Sequence, residues 1–358
     1  MPNDIPIDDD LYLSVGNQVV SGWTDIRVTR SVERCPSDFD IGLTESYPGK
    51  SQIIVQAGDR VQVSLGRDLV ITGYVDDYIP SFSPSSHDVH VTGRGKCQDL
   101  VDCSAVWPSS QISGTSAADI ATKLASHYGI KVNCDVPDLV TIPQFNIFVG
   151  ETSFEVIERV CRYSQLLLYD QPDGDLRLAR ADEQTKAAGG LAEGINVQAA
   201  SVRNSAHERF STYIAFAQSV AIYQDAGVGA SMLAQVADEG VGRVRERYIV
   251  AEAVQGFKDL AQRRAVWERN RRIGRSRVVT VTTDSWRDAA GKLWTPNTLV
   301  DISLPHLNLP QTTWLIGDVT YRRTIEGGTT ADLTIMDPLA YRPEPVALQP
   351  AFVDASKL

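Results

Sequence analysis

Apolar and polar positions alternate through much of the first hundred residues. In Arg60–Leu65, Val61, Val63 and Leu65 are separated by Gln62 and Ser64, a period of two that predicts a strand with one buried face. Thr24–Val32, Ile53–Gln56 and Val70–Tyr78 are also rich in β-branched and aromatic residues, with turn residues between them. From about Pro108 the spacing becomes helical. Ala117, Ile120, Ala121, Leu124 and Tyr128 follow Ser116 and Asp119, a capping-box pattern, and Gly129 suits the helix end. A strand resumes at Ile130–Val132. Thr152 and Glu155 open a second helix carrying Val156, Ile157, Val160 and Cys161. Leu166–Tyr169, a turn at Asp170–Gly174 and a strand at Asp175–Ala179 come next. Asp173-Gly174 is a favoured hairpin pair when both turn positions take positive φ. Beyond Ile195 strands return, interrupted by a helix over 253–273 with Val254, Phe257, Leu260 and Ala261 as its apolar stripe. The last stretch, with Pro343, Pro345 and Pro350, is predicted to be extended, either a docking arm or a frayed end.

The two β-rich regions resemble each other. Arg60–Leu65 matches Leu299–Leu304, Val70–Val75 matches Trp314–Val319 through Gly73 and Gly317, and Asp88–Val91 matches Asp332–Ile335. Gly73 to Asp88 and Gly317 to Asp332 both span 15 residues. The alternation puts Val61/Val300, Val63/Ile302, Val75/Val319 and Val91/Ile335 on an inner face. An inward glycine at 73 or 317 suits a strand that bends or is closely crossed, as in a small barrel. The alternative is two unrelated sheets of similar composition. The favoured fold is therefore mainly β with an α+β insertion: two similar small β-barrels flanking a small α/β region. The predicted units are a first barrel over 1–106, an α/β insert over 107–195, a second barrel over 196–340 containing the helix, and an extended Pro-containing tail over 341–358.

Composition narrows the function. No apolar run approaches the roughly 20 residues of a membrane-spanning helix, so no membrane anchor is expected. Met1–Leu11 is acidic and lacks the features of a secretory signal, which predicts folding in a cytoplasm. Five cysteines without a C-x-x-C pair read as reduced, mostly buried thiols. A net charge of −11 opposes tight nucleic-acid binding. That charge is uneven: Val241–Arg277 holds 11 Lys/Arg against 4 Asp/Glu, a net +7, leaving −18 for the remainder. Arg263, Arg264, Arg269, Arg271 and Arg272 would form a basic helix face. Three readings stand for it: a solvated face, contact with an acidic protein neighbour, or contact with DNA phosphates.

Candidate chemistry is sparse. His87 and His90, three apart on a strand, point to opposite faces, as do adjacent Asp76 and Asp77, so neither pair makes a joint site. Gly93-Arg-Gly-Lys96 lacks the length and the Ser/Thr of a P-loop and reads as a bend. Asp170–Asp175 does not have calcium-loop spacing, and His127, His207 and His306 have no nucleophile motif beside them. No catalytic residue, metal or cofactor is predicted.

Several stretches carry a family resemblance: Gly22-Trp23-Thr24 ahead of Arg30-Ser31-Val32-Glu33, Gly73-Tyr-Val-Asp76, and Phe154–Val160 with Leu166–Asp170 and Gly174–Leu178. Gly93-Arg-Gly-Lys-Cys-Gln-Asp-Leu-Val-Asp-Cys-Ser-Ala105 is the most specific. Together they resemble the baseplate hub family of contractile tails: the Mu-type hub, late-control D-type tail proteins and the N-terminal part of VgrG spikes. The resemblance runs from about Leu11 to Leu339, and the chain ends without a fused needle. It implies a non-enzymatic homotrimeric ring in the virion baseplate, assembled in the host cytoplasm. Its partners would be the tail tube protein, a separate central spike and other baseplate proteins. DNA would pass only non-specifically, along an acidic channel wall. The alternatives are the hub of a contractile bacteriocin or secretion device and, in another class, a tail-associated carbohydrate-binding module or cell-wall hydrolase.

Overall fold

The computed structural model describes residues 9–44, 55–84, 87–107, 111–137, 139, 141–218, 231–251 and 260–342. Asp4 and Asp8, Ile53, Pro108, Val254, Phe257 and the proline-containing tail from Pro343 lie outside the described residues.

The first unit contains β1 (Leu11–Val15), β2 (Gln18–Val20), β3 (Asp25–Ser31), β4 (Asp38–Thr44), β5 (Arg60–Leu65), β6 (Asp68–Phe82) and β7 (His87–Gly95). All pairings within it are antiparallel, in the spatial order β2-β1-β5-β6-β7-β4-β3. The predicted alternation in β5 is real: Val61, Val63 and Leu65 are at most 1% exposed.

The insert contains α1 (Gln98–Asp102), β8 (Gln111–Thr115), α2 (Ala117–Ser126), β9 (Val132–Cys134), β10 (Ile142–Asn146), α3 (Ser153–Tyr163), β11 (Leu167–Asp170) and β12 (Leu176–Ala179). Both predicted capping boxes form, Ser116 with Asp119 and Thr152 with Glu155. Each cap satisfies N–H groups that the helix start would leave orphaned, worth about 1 kcal/mol. Ile120, Leu124, Val156, Ile157 and Val160 bury their stripes in the insert's own core. The Asp173-Gly174 expectation is corrected. Only Gly174 has positive φ, and Gly174 N–H donates to Gln171 O in a longer loop between Asp170 and Leu176.

The second unit begins with β13 (Leu191–Ala192) and β14 (Val197–Asn204), and continues with β18 (Arg277–Thr283), β19 (Thr298–Leu304), β20 (Leu309–Thr324) and β21 (Gly328–Met336). Main-chain bonds from Ala187 to Leu299 and from Glu193 to Ser303 draw residues upstream of 195 onto this unit. Between β14 and β18 stand a three-stranded sheet of β15 (Thr212–Gln218), β16 (Ser231–Ala237) and β17 (Glu246–Ala251), and α4 (Leu260–Arg275). The interruption is thus a small sheet with its helix, where sequence periodicity indicated a helix alone. Ala261 and Ala265 of α4 cover Tyr213, Ala215, Ala234, Val236 and Ile249.

The two β-units are fused. β20 pairs with β19 and β21 and, through its outer half, with β3, as in Val319↔Arg30 and Tyr321↔Val28. The result is one 13-stranded sheet and one shared apolar cluster, where two separate barrels were expected. Trp286, Trp294 and Tyr321 lie fully buried in that cluster. Their polar ends reach main-chain carbonyls of Arg322, Ser285 and Trp294, which removes the penalty for burying them.

Candidate assembly surfaces

The two units repeat one hairpin design. Gly58 and Asn297, both with positive φ, donate to the carbonyls of Val75 and Ile316. One residue later each long strand has a bulge, at Asp76 in β6 and at Gly317 in β20. The two hairpins therefore superpose with Val75 on Ile316 and Gly73 on Trp314. Matching Gly73 to Gly317 by identity is three residues out of register. Bulge position and loop length set register, and a shared glycine does not.

Both glycines are nevertheless closely approached. A Cβ on Gly73 would overlap the carbonyl oxygen of Arg94, and one on Gly317 would overlap the Tyr341 hydroxyl.

The Gly93–Lys96 stretch forms the joint between the first unit and the insert. A Cβ at Gly93 would lie 2.6 Å from Phe39 Cε1, and one at Gly95 would lie 2.5 Å from Asp170 Oδ2. Arg94 bridges Asp76 at 2.7 Å and Asp102 at 2.8 Å, and these carboxylates hold its guanidinium above its usual pKa. Asp170, on β11, accepts from the Ser37 N–H at 3.0 Å and the Ser37 hydroxyl at 2.9 Å. Burial raises its pKa, and the Ser37 bonds partly offset that. The motif is a packing joint, with its glycines giving room and its charges tying strand to insert.

Asp77 accepts from Thr92, and His90 pairs with Asp40 at 3.0 Å, so neither joins a site with its neighbour. All five cysteines are free thiols; Cys97 and Cys161 are buried and the other three half-buried. No group of three or more metal-ligating side chains occurs among the described residues. Trp23, Trp286 and Trp294 are core residues, so half of the chain's six tryptophans offer no surface for a sugar ring.

Three family models match successive parts of the chain. These are the Mu phage baseplate assembly protein GpP-like N-terminal domain over residues 10–95, the baseplate hub protein gp44-like second domain over 97–180, and the GpP fourth domain over 258–344. The chain is 29% identical to baseplate hub protein gp44 of Escherichia phage Mu over 316 residues, covering 86% of this chain and 82% of that protein. It is 33% identical to the 43 kDa tail protein of prophage MuSo2 from Shewanella oneidensis. That crystal structure matches with a TM-score of 0.83 over 93% of this chain and 99% of the other. The chain belongs to the baseplate hub family. A tail protein from Neisseria meningitidis MC58 shares the fold at 19% identity, with a TM-score of 0.80 over 94% of the hub chain and 99% of its own.

In this hub the five α4 arginines expected to form a basic face do not share one solvent face. Arg272 bonds Glu268 at 2.7 Å and Glu208 at 3.1 Å. Arg271 donates to Ala340 O at 3.1 Å and pairs with Glu33, and burial lowers its pKa. Arg269 bonds Asn270, Arg264 lies over the Trp267 ring, and Arg263 is exposed beside a cleft of about 1460 Å³. Sequence reading missed these acidic partners because Glu33 and Glu208 lie far from α4 along the chain. It also missed the outer face of the β15–β17 sheet, where Leu233, Tyr248 and Val250 are 59%, 60% and 82% exposed.

Proposed function

We propose that this hub chain acts as a homotrimer, a ring that joins the six-fold tail tube to a three-fold central spike in the virion baseplate. Its role is mechanical, and the central opening is the path for DNA. The observation that carries this reading is the tandem of two like β-units in one chain of hub sequence: three chains present six similar units. Tube protein, spike and other baseplate proteins are its partners, with the net acidic surface keeping DNA contact non-specific.

The first test is the mass of the purified chain by light scattering. A species near 118 kDa, three times 39.2 kDa, supports the ring. A monomer at every concentration, with or without tube and spike proteins, overturns it.

A further inference from the structure

Inside the chain the outer half of β20 takes β3 as its neighbour, in the register Tyr321↔Val28 and Arg323↔Ile26. The hairpin superposition gives both strands a counterpart in the other unit. Beyond the bulge Tyr321 corresponds to Pro80 and Arg323 to Phe82. Bridge partners carried through β4/β18 place Val28 on Val202 and Ile26 on Ala200, so β14 corresponds to β3. Both counterparts are edges among the described residues: β14 ends the strand order, and β6 beyond Val75 pairs only with β7.

We infer that the outer half of β6 in one hub chain pairs antiparallel with β14 of a second copy, repeating the β20–β3 junction. The register is Ile79 opposite Arg203, Pro80 opposite Val202, Ser81 opposite Ser201 and Phe82 opposite Ala200. This rests on the trimeric reading and names the surfaces that close the ring.

Hydrogen-bond phase fits that register. Gly95 N–H donates to Ser37 O, so Gly95, Gly93, Val91 and Val89 face β4, while His90 and Asp88 face Ile79 and Ser81. Pro80 and Phe82 therefore turn their main-chain groups to the edge. Ser205 N–H donates to Ser276 O, which leaves Val202 and Ala200 turned outward on β14. Outward groups meet outward groups. The inner-face side chains meet as well: Phe82 is 88% exposed in the single chain, and Ala200 and Val202 lie half-buried at the margin of the shared core.

Pro80 lacks an N–H, so this junction has one hydrogen bond fewer than its internal template. The same residue discourages indiscriminate strand addition at the edge, as proline does on edge strands generally. Each chain carries one edge of each kind, so contacts run head to tail, the arrangement that a closed ring of copies requires. Three chains then have six like junctions, three within chains and three between them.

Ile79 and Arg203 would form a non-hydrogen-bonded pair with Cα atoms about 4.5 Å apart, within disulfide range. The experiment oxidises the full-length double variant Ile79→Cys/Arg203→Cys mildly and runs non-reducing gels. Wild type, each single variant and the out-of-register pair Ile79→Cys/Ser201→Cys serve as controls. Both positions are exposed on the outer face, and light scattering checks assembly of every variant. Covalent dimers and trimers from the in-register pair, well above the controls, are expected. A wild-type trimer whose in-register pair links no better than the controls overturns the edge pairing and leaves the trimer standing. A wild-type monomer at all concentrations, with or without tube and spike proteins, removes both.

Discussion

Replacing Gly317 with alanine should be destabilising only while the Tyr341 ring is present. A Cβ at this position would lie 2.5 Å from Tyr341 Cζ and 2.7 Å from Cε1, whereas carbon atoms in contact sit about 3.5–4.0 Å apart. The ring must therefore recede by roughly 1 Å. It is 1% exposed and wedged among Val32, Leu315, Met336 and Ala340, so Gly317→Ala should cost about 1–3 kcal/mol as overpacking. Tyr341→Ala should cost about 3–5 kcal/mol through the cavity it leaves. In the double variant the new methyl enters that cavity, so its cost should stay close to that of Tyr341→Ala alone. The coupling is then about 1–3 kcal/mol. Tyr341→Phe serves as a control: the hydroxyl has no hydrogen-bond partner among the described residues, and burial pushes its pKa well up. Its removal should be neutral or slightly stabilising. Urea unfolding followed by tryptophan fluorescence measures all four variants. Additive costs, within about 0.5 kcal/mol, would refute the contact.

Arg209 holds the 3%-exposed Asp238 carboxylate with bonds of 2.9 and 2.7 Å, assisted by Gly240 N–H. Burial alone would raise the Asp238 pKa, but these donors lower it. The pair thus contributes stability above the unfolded carboxylate's pKa and loses it as pH falls through the lower folded value. Arg209→Met should cost about 3–5 kcal/mol at pH 7 and distinctly less near pH 3; a pH-independent cost would sink this account. Gly73→Ala should destabilise by about 1–3 kcal/mol because its methyl meets the Arg94 carbonyl, and unchanged urea midpoints would contradict that. In thiol titration of the native hub, Cys97 and Cys161 should react only on unfolding, since both are buried and burial pushes the Cys161 thiol well up. Fast labelling of all five would show that the core is open.

Much of the local structure was legible in sequence because its causes are local. The period of two placed β5 at Arg60–Leu65, and the two capping boxes placed the starts of α2 and α3. The extended Gly93–Ala105 match pointed to the family. It did not reveal why two glycines are needed there, because Phe39 and Asp170 reach them from distant strands. The partners of the α4 arginines were hidden for a similar reason. Helical spacing brings arginines together, but Glu33, Glu208 and the Ala340 carbonyl decide which of them meet water.

By itself the sequence determined that this is a mainly β chain with an α/β insert, a repeated hairpin design and membership of the hub family. Periodicity, caps and motif order depend on neighbours along the chain, so they survive without coordinates. Only the tertiary structure decided that the units share one sheet through β20 and β3, from Thr320 to Thr29, 291 residues apart. It also decided that Trp314, and not Gly317, is the counterpart of Gly73. Strand pairing is a bond between distant segments, and its register follows from bulges and loop lengths that residue identity does not record.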